Sequence, residues 1–415
     1  MEIKRDKYVH DLAIRMNNGA VKVVTGIRRS GKSYLVFKLF HDYLIETGVT
    51  ENHIIPLALD DYRNRKYRDP DTILDYVDAA MNENGMYWLL LDEVQLLKDF
   101  EEVLISLLHM PNLDIYVTGS NSHFLSKDII TEFRGRGDEI HIYPLSFAEF
   151  YSACANKDIY NAWDEYMLYG GLPALINMKT DEQKAKYLIN LFRETYIRDI
   201  TERNHINKTQ ELEDLIDILA SSIGALTNPT KIGATFQSRL NSSISTNTLR
   251  SYIDCLADAF LISEAKRYDV KGRKYIGSPV KYYFEDVGLR NARLNFRQTE
   301  PSHLMENILY NELRIRGYQV DVGNIETRDV SGRQTLEIDF VANRGQEKVY
   351  VQSALSMPDD EKRAQEKRPL CKTGDSFKKV IITRDIASTT IDEDGIITMG
   401  LFRFLTEADP LRTFL

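Results

Sequence analysis

Short apolar runs alternate with stretches of helical apolar spacing over the first 150 residues of the chain. Uninterrupted apolar runs are typical of parallel strands that are buried on both faces. Strands that alternate with helices predict a three-layer α/β domain for residues 1–150. The five candidate strands are Val21–Thr25, Ile54–Leu59, Trp88–Leu91, Ile115–Thr118 and Glu139–Tyr143.

The pattern changes after residue 150 and predicts three further regions. A helical stretch rich in Tyr, Phe and Leu is expected to form a lid or connector, and it is followed by short helices and a hairpin around Gly272. Two helices followed by a hairpin have the shape of a winged helix, which binds DNA or protein. The last region mixes one helix with several strands. The predicted bounds are 151–205 for the lid, 206–275 for the winged helix and 276–415 for the last region.

A complete G-x-x-x-x-G-K-[ST] phosphate loop follows the first candidate strand and precedes a helical pattern, which is the context that this motif requires. Backbone N–H groups of such a loop, together with the helix N-terminus behind it, hold the phosphates of ATP. Lys32 is predicted to reach the β- and γ-phosphates, and the Ser33 hydroxyl to ligate Mg²⁺. The expected nucleotide contacts are Gly26, Ile27, Arg28, Arg29, Ser30, Gly31, Lys32, Ser33 and Tyr34.

The third candidate strand ends in two carboxylates, Asp92 and Glu93. Charge is tolerated where a buried parallel strand emerges, and ligands of open α/β sheets bind outside those carboxyl ends. We expect Asp92 to hold Mg²⁺ through its water shell and Glu93 to orient and deprotonate the attacking water. The alternative is a solvated acidic turn. The fourth strand is followed by Ser120 and Asn121, and Asn121 is a candidate catalytic contact to the γ-phosphate or the attacking water, with a simple turn as the alternative.

Two arginines, Arg134 and Arg136, precede the fifth candidate strand. An arginine at this place could enter the site of a neighbouring copy and supply positive charge as phosphoryl transfer develops. Assembly into a homo-oligomer would then be needed for activity. The alternative is a surface arginine without a catalytic part.

Composition places the chain in an ordinary class. A length of 415 residues, with 43% hydrophobic and 28% charged residues, is typical of a globular protein of two to four domains. The three widely spaced cysteines argue against a disulfide framework or a structural zinc site. The charged N-terminus lacks the apolar core of a signal peptide, and no apolar run approaches the ~18 residues of a membrane span. We therefore expect a cytoplasmic protein without a membrane partner, and the net charge of −9 argues against non-specific coating of nucleic acid.

These motifs together make the chain similar to a large group of bacterial and archaeal AAA-type ATP-binding proteins that carry a C-terminal domain of unknown function. The resemblance covers nearly the whole length. It implies that Arg136 rather than Arg134 is the arginine finger, that the middle of the chain is a winged helix, and that the end has a restriction-endonuclease-like fold. The matching segments are Gly26–Ser33, Leu91–Gln95, Gly119–Ser122, Gly135–Arg136, Tyr143–Phe150, Tyr169–Pro173 and Lys281–Leu289.

The endonuclease-like fold implied by this resemblance brings an acidic residue on a helix, an Asp on a strand and a Glu-x-Lys on the next strand. Glu306 and Asp339 fit the first two positions. The third departs from the pattern, because Gln352 stands for the Glu and Ala354 for the Lys. We therefore expect a degenerate nuclease site, kept for binding rather than cleavage. A lysine from the following charged segment, Lys362 or Lys367, could still enter it.

The sequence thus predicts a Mg²⁺-dependent ATPase that acts on DNA or on a DNA-bound partner. Two other functions stay open. One is a nucleotide-gated regulatory protein that turns over ATP slowly and binds a protein target. The other, an ATP-dependent nuclease, depends on the degenerate C-terminal site.

Overall fold

The chain divides into two compact units in the computed structural model. The N-terminal unit comprises Met1–Pro144 together with Asp258–Phe260, and the C-terminal unit comprises Leu145–Ala257 and Leu261–Leu415. None of the helices in the described part of the chain has the length and apolar character needed to cross a membrane. The structure describes residues 3–119, 136–155, 158–240, 243–329 and 332–412.

A five-stranded sheet with the order β2-β3-β4-β1-β5 forms the centre of the N-terminal unit. Every neighbouring pair is parallel, as the apolar runs predicted. The second to fifth strands differ from the predicted bounds by one to two residues at one or both ends, because the pattern does not mark where strand pairing stops. The strands are β1 Val21–Thr25, β2 Ile54–Ala58, β3 Tyr87–Asp92, β4 Leu113–Thr118 and β5 Gly137–His141.

Both faces of this sheet are buried, and successive residues of each strand point to opposite faces. In β3, Leu89 and Leu91 belong to one apolar cluster, whereas Trp88 and Leu90 belong to another. The helices of the unit cover both faces, which confirms the α/β class. They are Asp6–Ala13, Pro70–Ala80, Phe100–Leu107 and, directly after the phosphate loop, the consecutive segments Lys32–Tyr34, Leu35–Phe40 (π-helical) and His41–Glu46, which we call the phosphate-loop helix.

The C-terminal unit begins with helices, and residues 159–203 are mostly helical as expected. The first helix, Phe147–Ala153, begins at a capping box. The Ser146 hydroxyl accepts a bond from the Glu149 N–H at 3.2 Å, and the Glu149 carboxylate accepts one from the Ser146 N–H at 2.9 Å. The other helices are Ile159–Tyr169, Asp181–Leu191, Phe192–Ile197 (π-helical), Arg198–Arg203, Thr209–Ser221, Pro229–Leu240, Thr246–Asp258, Val287–Arg293, Pro301–Ile315, Asp360–Cys371 and Leu401–Thr406.

An eight-stranded mixed sheet forms the rest of this unit, with the order β12-β13-β11-β10-β9-β8-β6-β7. The hairpin β9–β10 is antiparallel, and β10–β11 is parallel with the helix Asp360–Cys371 as the crossover. The strands are β6 Ile262–Asp269, β7 Lys274–Phe284, β8 Gln319–Asp329, β9 Gly332–Arg344, β10 Glu347–Ala354, β11 Lys378–Thr383, β12 Thr390–Ile391 and β13 Ile397–Gly400.

The hairpin predicted around Gly272 is present, but it does not stand apart as a wing. Its strands β6 and β7 pair with each other, and β6 also pairs in parallel with β8. The hairpin is therefore the edge of the large sheet, and the predicted boundary between residues 275 and 276 falls inside β7. Local pattern predicts a hairpin but does not show which sheet it joins, because that depends on pairing with strands far away in sequence.

Two of the segments that match the family pattern pack against each other. Asp286 is buried and accepts hydrogen bonds from the N–H groups of Gly171, at 2.8 Å, and Leu289, at 3.0 Å. A Cβ atom at Gly288 would lie 1.8 Å from the Tyr169 carbonyl oxygen, so only glycine fits there. The segments Tyr169–Pro173 and Lys281–Leu289 thus form one structural joint within the C-terminal unit.

Candidate functional site

The phosphate loop connects β1 to the phosphate-loop helix through a backbone that side chains rarely allow. Gly26 and Gly31 have φ values of 136° and 99°, and Arg29 has a φ of 67°. A Cβ atom at Gly26 would lie 2.2 Å from the Ile142 carbonyl oxygen, next to β5. Left-handed conformations of this kind cluster at ligand sites, where the surrounding structure holds them.

Lys32 and Ser30 show how the loop is prepared for an anion. The Lys32 ammonium is buried and donates to the carbonyl oxygens of Gly26 at 2.9 Å and Ile27 at 3.1 Å. The Ser30 hydroxyl is buried and, among the described residues, has no hydrogen-bond partner. Phosphate oxygens fit both groups, since they can replace the carbonyl acceptors of the ammonium and satisfy the hydroxyl.

The predicted metal ligands lie together at the carboxyl ends of β1 and β3. The Ser33 hydroxyl donates to Asp92 Oδ1 at 3.0 Å. The Thr118 hydroxyl donates to the same oxygen and accepts a bond from the Glu93 N–H at 3.1 Å. A hydroxyl beside a carboxylate is a donor set that suits Mg²⁺, so the residues present fit this ion.

Burial raises the pKa of the Asp92 carboxyl, while its bonds to Thr118 and Ser33 oppose that shift, and the nearby charges of Glu93 and Asp60 raise it further. A cation at this place would relieve the repulsion among these carboxylates. Glu93 itself has a left-handed backbone with a φ of 53° and bonds to the Gln95 amide. Its backbone therefore turns away from the strand direction directly after Asp92.

The predicted nucleotide contacts differ in exposure. Ile27, Ser30 and Lys32 are buried, Arg28 and Gly31 are partly buried, and Arg29, Ser33 and Tyr34 are exposed. The buried residues therefore support the loop from within, whereas Ser33 lies at the surface, where a nucleotide can enter.

Arg136 lies at the amino end of β1, whereas the phosphate loop follows the carboxyl end of that strand. Its carbonyl oxygen accepts a bond from the Val21 N–H at 2.9 Å, beside the first residue of β1, whereas Gly26 follows the last. A strand rises about 3.3 Å per residue, so five residues separate the two ends by roughly 16 Å. Arg136 is exposed and distant from the loop of its own chain. Asn121, Ser120 and Arg134 lie outside the described residues.

Arg5 is a neighbour of the loop that sequence reasoning missed. It is buried, and its guanidinium donates to the carbonyl oxygens of Ser30 at 3.0 Å, Tyr143 at 2.9 Å and Pro144 at 3.3 Å. The charged N-terminal segment gave no signal for this contact, because the carbonyl oxygens that it binds belong to distant parts of the chain.

A second cluster of polar side chains lies in the C-terminal unit and includes the predicted nuclease residues. Gln352 accepts a bond from the Asp339 N–H at 3.4 Å, and Glu306 lies near enough to Asp339 to raise the pKa of that carboxyl. Lys281, from β7, donates to Glu306 at 2.9 Å and to Glu337 at 2.7 Å. The structure therefore brings the three predicted residues to one place together with a lysine.

The two lysines that could have entered this cluster pair with other residues. Lys362 pairs with Glu366 at 2.5 Å, and Lys367 pairs with Asp392 at 2.6 Å. No sequence pattern indicated Lys281, because this residue lies on the edge strand β7 and meets the other residues of the cluster only in the folded sheet. Across the described ranges, no group of three or more His, Cys, Asp or Glu side chains is arranged to hold a metal ion.

Comparisons with known proteins match two regions of the chain. A family model described as an AAA domain matches residues 18–151, and one described as a domain of unknown function matches residues 160–300. An uncharacterized protein of Haemophilus influenzae is 33% identical over 399 residues, which are 95% of this chain and 96% of that protein. An uncharacterized protein of Methanocaldococcus jannaschii is 26% identical over 81% of this chain and 76% of its own length.

Two solved structures are remote matches to this chain. The Aeropyrum pernix ORC1 protein in complex with DNA is 12% identical, with a TM-score of 0.29, over 71% of this chain and 92% of that one. Cdc6p from Pyrobaculum aerophilum is 13% identical, with a TM-score of 0.30, over 71% of this chain and 95% of that one. Similarity at this level supports no conclusion about shared function.

Proposed function

The chain belongs to the same family as the uncharacterized Haemophilus influenzae protein, and from its P-loop AAA-type domain we propose that it is a Mg²⁺-dependent ATPase. The observation that carries this proposal is the 3.0 Å contact between the Ser33 hydroxyl and the Asp92 carboxylate, directly beside the loop that holds Lys32. These groups suit the binding of a nucleoside triphosphate and its metal ion.

Each residue of the site has a task that follows from its chemistry. Lys32 exchanges the carbonyl oxygens of its own loop for the β- and γ-phosphate oxygens. Ser33 and Asp92 hold Mg²⁺, which neutralises negative charge on the phosphates when it is bound. Glu93 orients the attacking water and accepts its proton, since an ionised carboxylate can act as general base. Arg136 acts on the site of a neighbouring copy.

The test is ATP binding and hydrolysis by wild type and by Lys32→Ala, with and without EDTA. We expect turnover by wild type that stops when Mg²⁺ is removed, and little binding or turnover by Lys32→Ala, because the loop N–H groups alone hold phosphates poorly. Lys38→Ala is the matched control, since Lys38 is an exposed lysine of the phosphate-loop helix. Absence of wild-type binding and turnover under every condition, including added DNA, would refute the proposal.

We propose further that DNA is the partner and that the helix Thr246–Asp258 contacts it. The Ser245 hydroxyl caps this helix by accepting a bond from the Thr248 N–H at 3.0 Å. The exposed side chains near its start are Thr246, Asn247 and Arg250, which are residue types that bind base edges and phosphates. Fold alone does not fix function, so this assignment depends on the exposed residues.

A protein partner is the second candidate, and the acidic helix Thr209–Ser221 favours it. Two of its acidic residues, Glu213 and Asp217, already pair with Arg293 at 2.9 and 2.5 Å, but the helix also presents Asp214 to a surface pocket. Salt separates the two candidates, because contacts to DNA phosphates weaken steeply as salt increases. We expect binding of duplex DNA that falls with salt and weakens in Arg250→Ala, and binding of neither single-stranded nor duplex DNA would favour the protein partner.

A further inference from the structure

Lys281 is a buried lysine whose ammonium forms ion pairs with two carboxylates inside the C-terminal unit. Only 3% of its side chain is exposed, and its ammonium lies 2.9 Å from Glu306 Oε1 and 2.7 Å from Glu337 Oε1. The two carboxylates come from the helix Pro301–Ile315 and from β9, so one nitrogen joins three different elements of the fold. Burial of a charge is tolerated in this way only when it is paired.

Three further hydrogen bonds use polar atoms of the cluster. The Tyr283 hydroxyl donates to Glu306 Oε1 at 2.6 Å. Asp339 Oδ2 accepts a bond from the Ser353 N–H at 2.8 Å, and Gln352 Oε1 accepts one from the Asp339 N–H at 3.4 Å. Hydrogen bonds to the protein thus use oxygen atoms that a divalent cation would need as ligands.

We propose that the Lys281 ammonium is the fixed cation of this carboxylate cluster and takes the position that a divalent metal ion would otherwise occupy. The C-terminal unit then carries an internal ion-pair centre where a metal-dependent cleavage site would need an open one. This proposal is independent of the proposed ATPase activity, because it concerns only residues of the C-terminal unit.

The charges in the cluster support this assignment. Burial lowers the pKa of the Lys281 ammonium, but the nearby charges of Glu306, Asp339 and Glu337 together outweigh burial and raise that pKa above its ordinary value, so the lysine stays charged. A divalent cation placed beside this ammonium would meet a like charge.

The carboxylates of the cluster differ in exposure. The side chain of Glu306 is 12% exposed, and that of Glu337 is 37% exposed. Gly224 approaches so closely that a Cβ atom there would lie 3.2 Å from Glu306 Oε1. Gly224 therefore covers Glu306 on one side, and an internal ion pair needs no access from solvent.

The test measures Mn²⁺ binding to the full chain by calorimetry, with Asp92→Asn in every sample to remove the proposed ATPase metal site. We expect the background protein to show no Mn²⁺ binding that depends on Asp339. Lys281→Ala should gain one Mn²⁺ equivalent that the background lacks, and addition of Asp339→Asn should remove it. Lys274→Ala is the matched control, since Lys274 is an exposed lysine of the same strand.

Two results would overturn the proposal. One is Asp339-dependent Mn²⁺ binding, or Asp339-dependent DNA cleavage in Mn²⁺, by protein that keeps Lys281. The other is a folded Lys281→Ala protein that binds no Mn²⁺. If Lys281→Ala unfolds, circular dichroism with and without Mn²⁺ replaces calorimetry, because a metal ion that fills the vacated position should restore the folded spectrum. Failure of Mn²⁺ to restore either Lys281→Ala or the larger Lys281→Met would also count against the proposal.

Discussion

The hydroxyl of Ser33 donates a hydrogen bond of 3.0 Å to Asp92 Oδ1, although 59 positions separate the two residues in the sequence. This bond joins the phosphate loop to the carboxyl end of β3. It places the two predicted Mg²⁺ ligands side by side before any ion is bound, so little rearrangement is needed to complete the site. Four predictions concern the residues that hold this arrangement or act on it.

Thr118→Val should reduce ATP turnover by roughly 10–100-fold, the usual effect of losing a group that orients a metal ligand. The valine keeps the shape of the side chain but removes the hydroxyl that donates to Asp92 and accepts from the Glu93 N–H. Steady-state ATPase rates at several Mg²⁺ concentrations measure the effect. Thr118→Ser keeps the hydroxyl and should retain most of the activity, so equal rates for the valine and serine variants would contradict the assigned role.

Glu93→Gln should bind ATP with nearly unchanged affinity and lose hydrolysis, because an amide cannot accept the proton of the attacking water. Nucleotide binding and phosphate release, measured on the same preparation, separate the two properties. Glu102→Gln is a suitable control, since Glu102 is exposed on the helix Phe100–Leu107. Wild-type turnover in Glu93→Gln would remove Glu93 as the base.

Arg136→Ala should lower turnover by ~10³-fold or more if this arginine acts as a finger on a neighbouring copy. Its distance from the phosphate loop of its own chain favours a role on the site of a second chain. We expect mixtures of inactive Arg136→Ala and inactive Lys32→Ala to regain part of the activity, because some interfaces then combine an intact loop with an intact arginine. No recovery of activity, together with a turnover rate per protein molecule that does not change with protein concentration, would indicate that Arg136 has a structural role.

Arg5→Lys should lower the free energy of unfolding by about 2–4 kcal/mol and weaken ATP binding. Lysine lacks the planar guanidinium that spans the carbonyl oxygens of Ser30, Tyr143 and Pro144, so buried acceptors lose their donors. Urea unfolding followed by circular dichroism, with nucleotide binding in parallel, measures both effects. Lys4→Ala serves as control because Lys4 is exposed, and an Arg5→Lys protein as stable as this control would refute the prediction.

Local signals in the sequence were enough for much of the N-terminal unit. The apolar run Val21–Thr25, the loop Gly26–Ser33 and the carboxylates that follow Leu91 predicted a parallel sheet with a nucleotide site at its carboxyl edge. The structure has the predicted parallel sheet and places the phosphate loop and Asp92 at that edge. Strand burial, loop glycines and helix starts are properties of adjacent residues, so the sequence specifies them directly.

The tertiary structure decided what adjacent residues cannot specify. Lys22 interrupts an apolar strand, and only the pairing of β1 with β4 shows that it is buried against Asp114. The hairpin predicted as a separate wing became an edge of the eight-stranded sheet, which brought Lys281 to Glu306. The physical reason is the same in each case: a buried charge finds its partner across strands and helices that are distant in sequence, and register and packing alone set that distance.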